Sequence, residues 1–365
     1  MNKKWECNEV DEEKVLEIKE KYNLTDLVAS ILVGKDIIEE EKIRLFLNPT
    51  RKDFYDPFLL NDMENAVNRI IKAINNKEHI IIYGDYDVDG ITSICVLKQF
   101  LEERGINVGQ IIPNRLEEGY GLNKEAIKKI AEKEYDLMIT VDCGISGIEE
   151  VEYANSLGIE TIITDHHEPL KELPKAIAVI DPKRKDNKYP FNQLAGVGVV
   201  FKLIQAISKS LNLDEKEYLK YLDLVAIGTI SDIVPLVDEN RVIAKLGLKL
   251  VEVTKNIGLK TLLSSLGYQK INSMTISFGV APRINACGRM GEAEDALKLF
   301  LTKDILEAQK LTDKLNEYNR IRQEIEKKIY DDAIQKIEKE NVDSKSCIVL
   351  AGENWHHGVI RNCCI

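Results

Sequence analysis

The most constraining feature of this sequence is a regular alternation of short apolar segments with amphipathic segments between residues 79 and 181. Each apolar segment has the length of a buried strand, and each amphipathic segment repeats its apolar residues at helical spacing. Such alternation is typical of a parallel sheet that carries helices on both faces. The predicted strands are residues 79–84, 108–113, 136–142, 160–165 and 176–181, and the predicted helices between them are 90–104, 123–134 and 147–157.

Acidic and histidine residues follow several of these strands directly. The first strand runs into "GDYDVDG", where three aspartates occupy alternate positions, and a later helical run breaks at "TISDIVPL". The carboxyl ends of parallel strands meet at one edge of a sheet, so we expect the groups after the strands to converge there. The residues after the strands are Asp85, Asp87, Asp89, Asp142, Asp165, His166 and His167, and the later helical run adds Asp232.

Such a concentration of carboxylates predicts a metal centre. Carboxylates within a few ångströms of one another repel, and one or two divalent cations remove that repulsion. Oxygen ligands mixed with imidazole suit Mn²⁺ better than Mg²⁺ or Ca²⁺, and no cysteine in this set has zinc-ligand spacing. The pattern therefore favours a hydrolase with two metal ions.

Each of these groups has a simpler explanation when it is taken alone. A DxDxD loop is often a solvated turn or a helix cap, and Asp142 could cap a helix in the same way. The His166–His167 pair could lie in a surface loop, and Asp232 could simply end a helix. Four such groups that all follow apolar runs, in this order, favour one shared site over four unrelated features.

The rest of the chain is mostly helical in pattern. Apolar residues recur at helical spacing before the first strand and again between residues 215 and 300, and one long charged helix follows. The predicted fold class is α/β, a doubly wound, mostly parallel sheet with a helical N-terminal extension, a helical subdomain and a connector helix that leads to a second lobe. The predicted units are residues 1–75, 76–240, 241–303, 304–341 and 342–365, and a new strand is expected in the segment from Ser346.

Composition excludes several classes of protein. The chain of 365 residues is 44% hydrophobic and 30% charged, which predicts a folded core and argues against general disorder. No run approaches the roughly 18 uncharged apolar residues of a membrane helix. The seven cysteines lack disulfide-framework spacing, which predicts reduced thiols and a cytoplasmic location. The net charge of −11 argues against general coating of nucleic acid but permits a local basic groove.

Four ordered motifs carry a resemblance to a known family. The segments "YGDYDVDG", "VDCG", "TDHHEP" and "SDIVPL" resemble those of the DHH phosphoesterase superfamily, which is named for the triplet Asp165-His166-His167. Within it, "PNRLEEGYGL" and "GVAPRINACGRMGEAEDAL" are similar to the RecJ family of single-strand-specific DNA exonucleases. The resemblance covers residues 50 to 360.

The resemblance implies a role for each matching residue. His167 would face the scissile phosphate, while Asp165 and Asp89 would hold the histidines and the loop in place. Many relatives carry histidine where this chain has Tyr83, and a phenol is a poor ligand for these ions. The implied metal ligands are Asp85, Asp87, Asp142, His166 and Asp232, with Asp142 bridging two ions, Mn²⁺ or Mg²⁺.

The same resemblance implies a function. The chain would be a metal-dependent 5′→3′ exonuclease that acts on single-stranded DNA in repair and recombination. A single-strand-binding protein and a helicase would be possible partners. Two alternatives stay open. One is a DHH phosphodiesterase or phosphatase that acts on short oligonucleotides or small nucleotides, and the other is a non-catalytic DHH scaffold.

Substrate binding requires local positive charge in an acidic protein. We expect Arg115, Arg283 and Arg289 to bind phosphates, because a guanidinium group can donate two parallel hydrogen bonds to phosphate oxygens. Asn285 is expected to help orient a phosphate. The alternative for each arginine is an ion pair with one of the abundant glutamates.

The last residues depart from the family pattern. Relatives continue after Gly-Val-Ile into a second lobe called DHHA1, whereas this sequence reads "RNCCI". A single inserted nucleotide would convert the family's codons into this string, so we expect a frameshifted or truncated DHHA1 lobe and weakened exonuclease activity. The alternative is a natural end. Sequencing of the locus distinguishes the two.

Overall fold

A five-stranded parallel sheet lies at the centre of the chain. The computed structural model describes residues 9–114, 119, 121–340 and 347–360. The strands are β1 (Ile80–Gly84), β2 (Val108–Ile111), β3 (Leu137–Val141), β4 (Glu160–Thr164) and β5 (Ala178–Ile180). Their order is β2-β1-β3-β4-β5, and every pair is parallel. The predicted parallel sheet is confirmed, and each predicted strand contains an observed one.

Helices cover both faces of this sheet and continue beyond it. They are α1 (Glu12–Tyr22), α2 (Asp26–Gly34), α3 (Glu40–Leu47), α4 (Met63–Asn76), α5 (Val88–Glu102), α6 (Lys124–Glu132), α7 (Ile148–Ser156), α8 (Gly196–Ser210), α9 (Lys216–Leu219), α10 (Leu222–Ser231), α11 (Asp238–Val251), α12 (Ile257–Leu266), α13 (Ala281–Arg289), α14 (Ala293–Leu301) and α15 (Ile305–Glu340). A π-helix, Thr275–Val280, leads into α13.

The alternation of side chains along β1 divides the interior into two cores. Successive residues of a strand point to opposite faces. Ile80 and Ile82 pack into the larger core with residues of α4, α5 and α8, whereas Ile81 and Tyr83 pack into a smaller core with residues of α6 and α7. Since both faces are buried, the strand sequences are apolar throughout, as expected for a covered parallel sheet.

The first three helices have a small core of their own. Ile18, Ala29, Leu32 and Ile43 form it, separate from the two cores at the sheet. Helix α4, by contrast, buries its apolar residues in the larger core beside the sheet. The expected boundary at residue 75 and the other domain limits stay predictions.

The long helix is present where the sequence predicts it. Helix α15 is 36 residues long, and Leu311 and Leu315 on its predicted apolar stripe are buried against α12, α13 and α14. Its role as a connector stays a prediction. The strand expected from Ser346 is wrong for the residues described there. Residues 347–352 are irregular, turns lie at 353–354 and 357–359, and Val349 is 90% exposed.

Among the residues that the structure describes, no helix combines the length and the apolar composition needed to cross a membrane. The string "RNCCI", residues 361–365, lies outside the described residues.

Candidate metal centre

The loop after β1 delivers the first two carboxylates. Asp87 caps the N-terminus of α5, because its carboxylate accepts hydrogen bonds from the N–H groups of Asp89 (2.9 Å) and Gly90 (3.0 Å). A Cβ at Gly90 would overlap the carbonyl oxygen of Asp85. The turn is therefore so tight that it requires glycine at this position, and it places Asp85 and Asp87 at the edge of the sheet.

Asp142 stands at the end of β3, next to this loop. Its side chain is 2% exposed, and its backbone has a left-handed φ of 58°. Its N–H donates to the carbonyl oxygen of Thr164 (3.0 Å), which joins the ends of β3 and β4. A Cβ at Gly196 would lie 2.7 Å from the Asp142 carboxylate, so the N-terminus of α8 reaches this side chain closely because it begins with glycine.

Asp165, at the end of β4, organises the two histidines. Its carboxylate accepts hydrogen bonds from the N–H groups of Ile145 (2.9 Å), His166 (2.7 Å) and His167 (3.1 Å), and from Nδ1 of His167 (2.7 Å). Burial alone would raise the pKa of Asp165, but the His167 contact and the backbone donors lower it. The hydrogen bond that His167 donates to Asp165 raises the pKa of His167.

The buried imidazole of His166 joins the strand ends to the later helices. Its Nε2 lies 3.1 Å from Oδ1 of Asp142 and 3.7 Å from both Oδ2 of Asp89 and Oδ2 of Asp232. Asp232 follows the last residue of α10. The eight acidic and histidine residues predicted to converge therefore do so.

Three overlapping sets of side chains have ligand atoms within 4.8 Å of one another. Asp142 belongs to two of them and His166 belongs to two. The sets are Asp85–Asp87–Asp142, Asp142–His166–His167 and Asp89–His166–Asp232. We call these residues, together with Asp165, the acidic cluster.

Asp89 also joins the acidic cluster to the N-terminus of α8. Its carboxylate accepts hydrogen bonds from the N–H groups of Gly196 (2.6 Å) and Val197 (2.8 Å), the first two residues of α8. The positive end of the α8 dipole therefore faces the cluster and stabilises negative charge there.

The electrostatics of the cluster favour a bound cation. Burial, and then the charge of Asp87, raises the pKa of Asp89 to about 7. Burial and the charge of Asp89 raise the pKa of Asp232 to about 7, and burial with the neighbouring aspartates raises the pKa of Asp142 well above its usual value. A divalent cation reverses these effects, and carboxylates with imidazole form a donor set for Mn²⁺. Cys143 lies next to Asp142, but its thiol donates to the carbonyl oxygen of Tyr83 (3.7 Å).

Tyr83, which stands where many relatives carry histidine, makes structural hydrogen bonds. The phenol is fully buried, its hydroxyl donates to the carbonyl oxygen of Gly121 (3.0 Å), and it accepts from Nδ2 of Asn123 (3.1 Å). Tyr83 therefore braces the segment before α6.

The predicted substrate-binding residues lie in different surroundings. Asn285 accepts from the N–H of Val88 (3.3 Å), so it stands beside the loop of the acidic cluster. Arg283 donates to Oδ1 of Asn316 (2.6 Å) and to the carbonyl oxygen of Gly279 (2.8 Å), neither of which is a carboxylate. Arg289 donates to the carbonyl oxygen of Gly358 (2.6 Å). Arg115 lies outside the described residues, and a phosphate-binding role for all four stays a prediction.

Sequence reasoning missed Asp181. This residue follows β5, is fully buried, and accepts a hydrogen bond from the N–H of Lys183 (2.7 Å). Burial raises its pKa to about 7, and the charge of the nearby Asp165 adds to this. The signal was present, because the segment "AIAVID" ends in aspartate just as the third and fourth strands do.

Comparisons with known proteins agree with this geometry. The family model described as "DHH family, N-terminal domain" matches residues 79–229. The single-stranded-DNA-specific exonuclease RecJ of Bacillus subtilis is 44% identical over 98% of this chain and 45% of its own length. A crystal structure of exonuclease RecJ bound to manganese superposes with a TM-score of 0.76 and 36% identity, and covers 83% of this chain and 76% of that one.

The chain belongs to the RecJ family. A second RecJ structure, from Thermus thermophilus in complex with Mn²⁺, gives a TM-score of 0.82 at 31% identity, and covers 96% of this chain and 50% of that one. The chain spans about half the length of the curated RecJ relatives that it matches.

Proposed function

We propose that this chain is a metal-dependent exonuclease that hydrolyses phosphodiester bonds of single-stranded DNA in the 5′→3′ direction, in DNA repair and recombination. The observation that carries the proposal is the convergence of carboxylates and imidazoles on Asp142, which offers positions for two cations. Membership of the RecJ family supports the choice of a single-stranded DNA substrate among the possible phosphate esters.

The acidic cluster fits two ions. The residues that would hold the ions are Asp85, Asp87, Asp142, His166 and Asp232, with Asp142 available to both. The mixture of carboxylate and imidazole favours Mn²⁺, with Mg²⁺ as the alternative. The carboxylate oxygens of Asp89 and Asp165 accept hydrogen bonds from backbone N–H groups. This supports a role for both residues in positioning the loop and the histidines.

Bound ions would supply the positive charge that activates a water molecule and stabilises the phosphate oxygens as the bond breaks. The protein's own contribution is orientation and proton control. Because Nδ1 of His167 is held by Asp165, Nε2 is the nitrogen that would face the scissile phosphate. The raised pKa of His167 favours the protonated imidazole, which can donate a hydrogen bond to a phosphate oxygen.

Substrate phosphates would be bound around this centre. Asn285 lies beside the β1 loop and would orient one of them, and Arg115, Arg283 and Arg289 would supply positive charge. A DNA substrate implies action in the cytoplasm. The buried free thiols of Cys95, Cys143 and Cys287 fit a reducing compartment. A single-strand-binding protein and a helicase are the proposed protein partners.

The test is a digestion series with Mn²⁺. The substrates are 5′-phosphorylated single-stranded DNA, the matching 3′-phosphorylated strand, duplex DNA, dinucleotides and pyrophosphate. We expect mononucleotide release from the 5′ end of single strands, dependence on Mn²⁺, and loss of activity in Asp142→Ala. Turnover confined to dinucleotides or pyrophosphate would instead assign a small-phosphate DHH enzyme, and no turnover on any substrate would favour a scaffold.

A further inference from the structure

The loop that follows β5 is firmly braced on one side. Arg184 donates to Oδ2 of Asp62 and to the carbonyl oxygen of Val179 (2.6 Å each), and also to both carboxylate oxygens of Asp186. Asn187 donates to the carbonyl oxygen of Pro182 (2.6 Å). These contacts fix the backbone of the loop. The ammonium group of Lys183 takes no part in the hydrogen bonds of Arg184 and Asn187.

Lys183 is held at its backbone rather than at its ammonium group. Its N–H donates to Oδ1 of the fully buried Asp181 (2.7 Å), which fixes the turn directly after β5. Its Nζ lies 3.8 Å from Oε1 of Glu168, whose side chain is 82% exposed. An ion pair of this length and exposure contributes little to stability. The positive charge can therefore exchange this partner for another anion.

The position of Lys183 places this charge beside the acidic cluster. Glu168 follows His167 directly, and the end of β5 is joined to Asp165 because the N–H of Asp165 donates to the carbonyl oxygen of Ile180 (3.1 Å), the residue before Asp181. The contact between Nζ of Lys183 and Oε1 of Glu168 therefore places the ammonium group next to the segment that carries His166 and His167.

We propose that Lys183 binds a phosphate group of the nucleic-acid substrate at the β5 edge of the acidic cluster, with the phosphate displacing Glu168. The proposal rests on the proposed function and adds a substrate-binding residue to it. Lys183 follows β5, the strand next to β4, and its ammonium group lies 3.8 Å from the carboxylate of Glu168, the residue after His167. Glu168 neutralises this charge when no substrate is bound and competes with the phosphate.

The experiment measures KM and kcat on 5′-phosphorylated single-stranded DNA at several salt concentrations. Lys183→Gln is expected to raise KM about three- to tenfold with a small change in kcat. It should also reduce the slope of log KM against log salt by about 0.7, the value for one lost phosphate contact on a single strand. Glu168→Gln should lower KM, and Lys183→Arg should keep the wild-type slope.

Lys185→Gln is the matched control, since it removes the same charge from the exposed side of the same loop. Equal KM values and salt slopes for Lys183→Gln and Lys185→Gln, in chains that melt like the wild type, overturn the assignment of Lys183 alone. A wild-type chain that neither binds nor cuts single-stranded DNA with Mn²⁺ overturns the proposed function and this inference together.

Discussion

Nε2 of His166 lies 3.1 Å from Oδ1 of Asp142, so the imidazole at the end of β4 meets the carboxylate at the end of β3. Both side chains are buried, and each belongs to two of the three sets of potential ligands. This pair is the centre of the candidate site.

The close approach of α8 to Asp142 predicts that Gly196→Ala weakens metal binding. A Cβ at this position would lie 2.7 Å from the Asp142 carboxylate, so the helix or the carboxylate must move. Displacing groups that orient a metal ligand costs about 10- to 100-fold in affinity, and Mn²⁺ titration should detect it. Gly198→Ala is the control on the same helix, because its Cβ would meet Leu194 at an acceptable 3.4 Å. Equal affinities for the two variants would contradict the prediction.

The pKa values of the metal-depleted cluster predict a stability that falls as pH rises. Asp89 and Asp232 have pKa values of about 7 when folded and 3.8 when unfolded. Carboxyl groups with raised pKa values keep their protons longer in the folded state. Their contribution to stability is therefore fully present below pH 3.8 and is lost as pH rises through 7.

We expect the melting temperature of the metal-depleted protein to be at least about 1 °C lower at pH 8 than at pH 6, a shift that corresponds to roughly 1 kcal/mol for a chain of this length. Asp232→Asn should reduce this difference, and saturating Mn²⁺ should remove most of it by binding the folded state. Thermal unfolding followed by circular dichroism measures both effects. A metal-depleted protein that is more stable at pH 8 would show that the carboxyl groups are not coupled in this way.

A buried ion pair outside the acidic cluster gives a prediction about stability. Nζ of Lys202 lies 3.0 Å from Oε1 of Glu239, both side chains are fully buried, and Tyr189 donates to the same carboxylate. Lys202→Met leaves the Glu239 charge buried without its cation, which should cost about 3–5 kcal/mol in the free energy of unfolding. The double variant Lys202→Met/Glu239→Leu should lose less than the sum of the single variants.

The surface pair on the same helix provides the control. Nζ of Lys209 lies 3.0 Å from Oδ1 of Asp56, and both side chains are about half exposed. Lys209→Met should therefore cost less than about 1 kcal/mol. Urea unfolding of the variants measures the free energy of unfolding. Similar decreases for Lys202→Met and Lys209→Met would show that burial does not make the Lys202–Glu239 pair more important for stability than the surface pair.

The sheet and most of the acidic cluster could be predicted because their signals are local. The apolar runs mark the strands, and Asp85, Asp142 and His166 follow them within a few residues, so parallel topology alone brings them together. The same rule would have found Asp181 at the end of β5. Asp232 was expected through its motif, and only the folded chain brings the end of α10 to His166.

Contacts between distant segments could not be predicted in this way. The hydrogen bonds from Gly196 and Val197 to Asp89 join residues more than one hundred positions apart. The pairing of Lys202 in α8 with Glu239 in α11 likewise depends on how both helices pack against α10. These contacts are set by the packing of side chains in three dimensions, which leaves no periodic pattern in the sequence.

Calorimetric titration of the metal-depleted chain with Mn²⁺ shows whether two ions share Asp142, and it compares the wild type, Asp142→Ala and the exposed control Asp313→Ala. Two ions should bind to the wild type and to Asp313→Ala. In Asp142→Ala, which removes the carboxylate that both positions share, binding of both ions should be lost or weakened by about 100-fold or more. An Asp142→Ala isotherm that matches the wild type, or a wild-type chain that binds no Mn²⁺, would contradict the account.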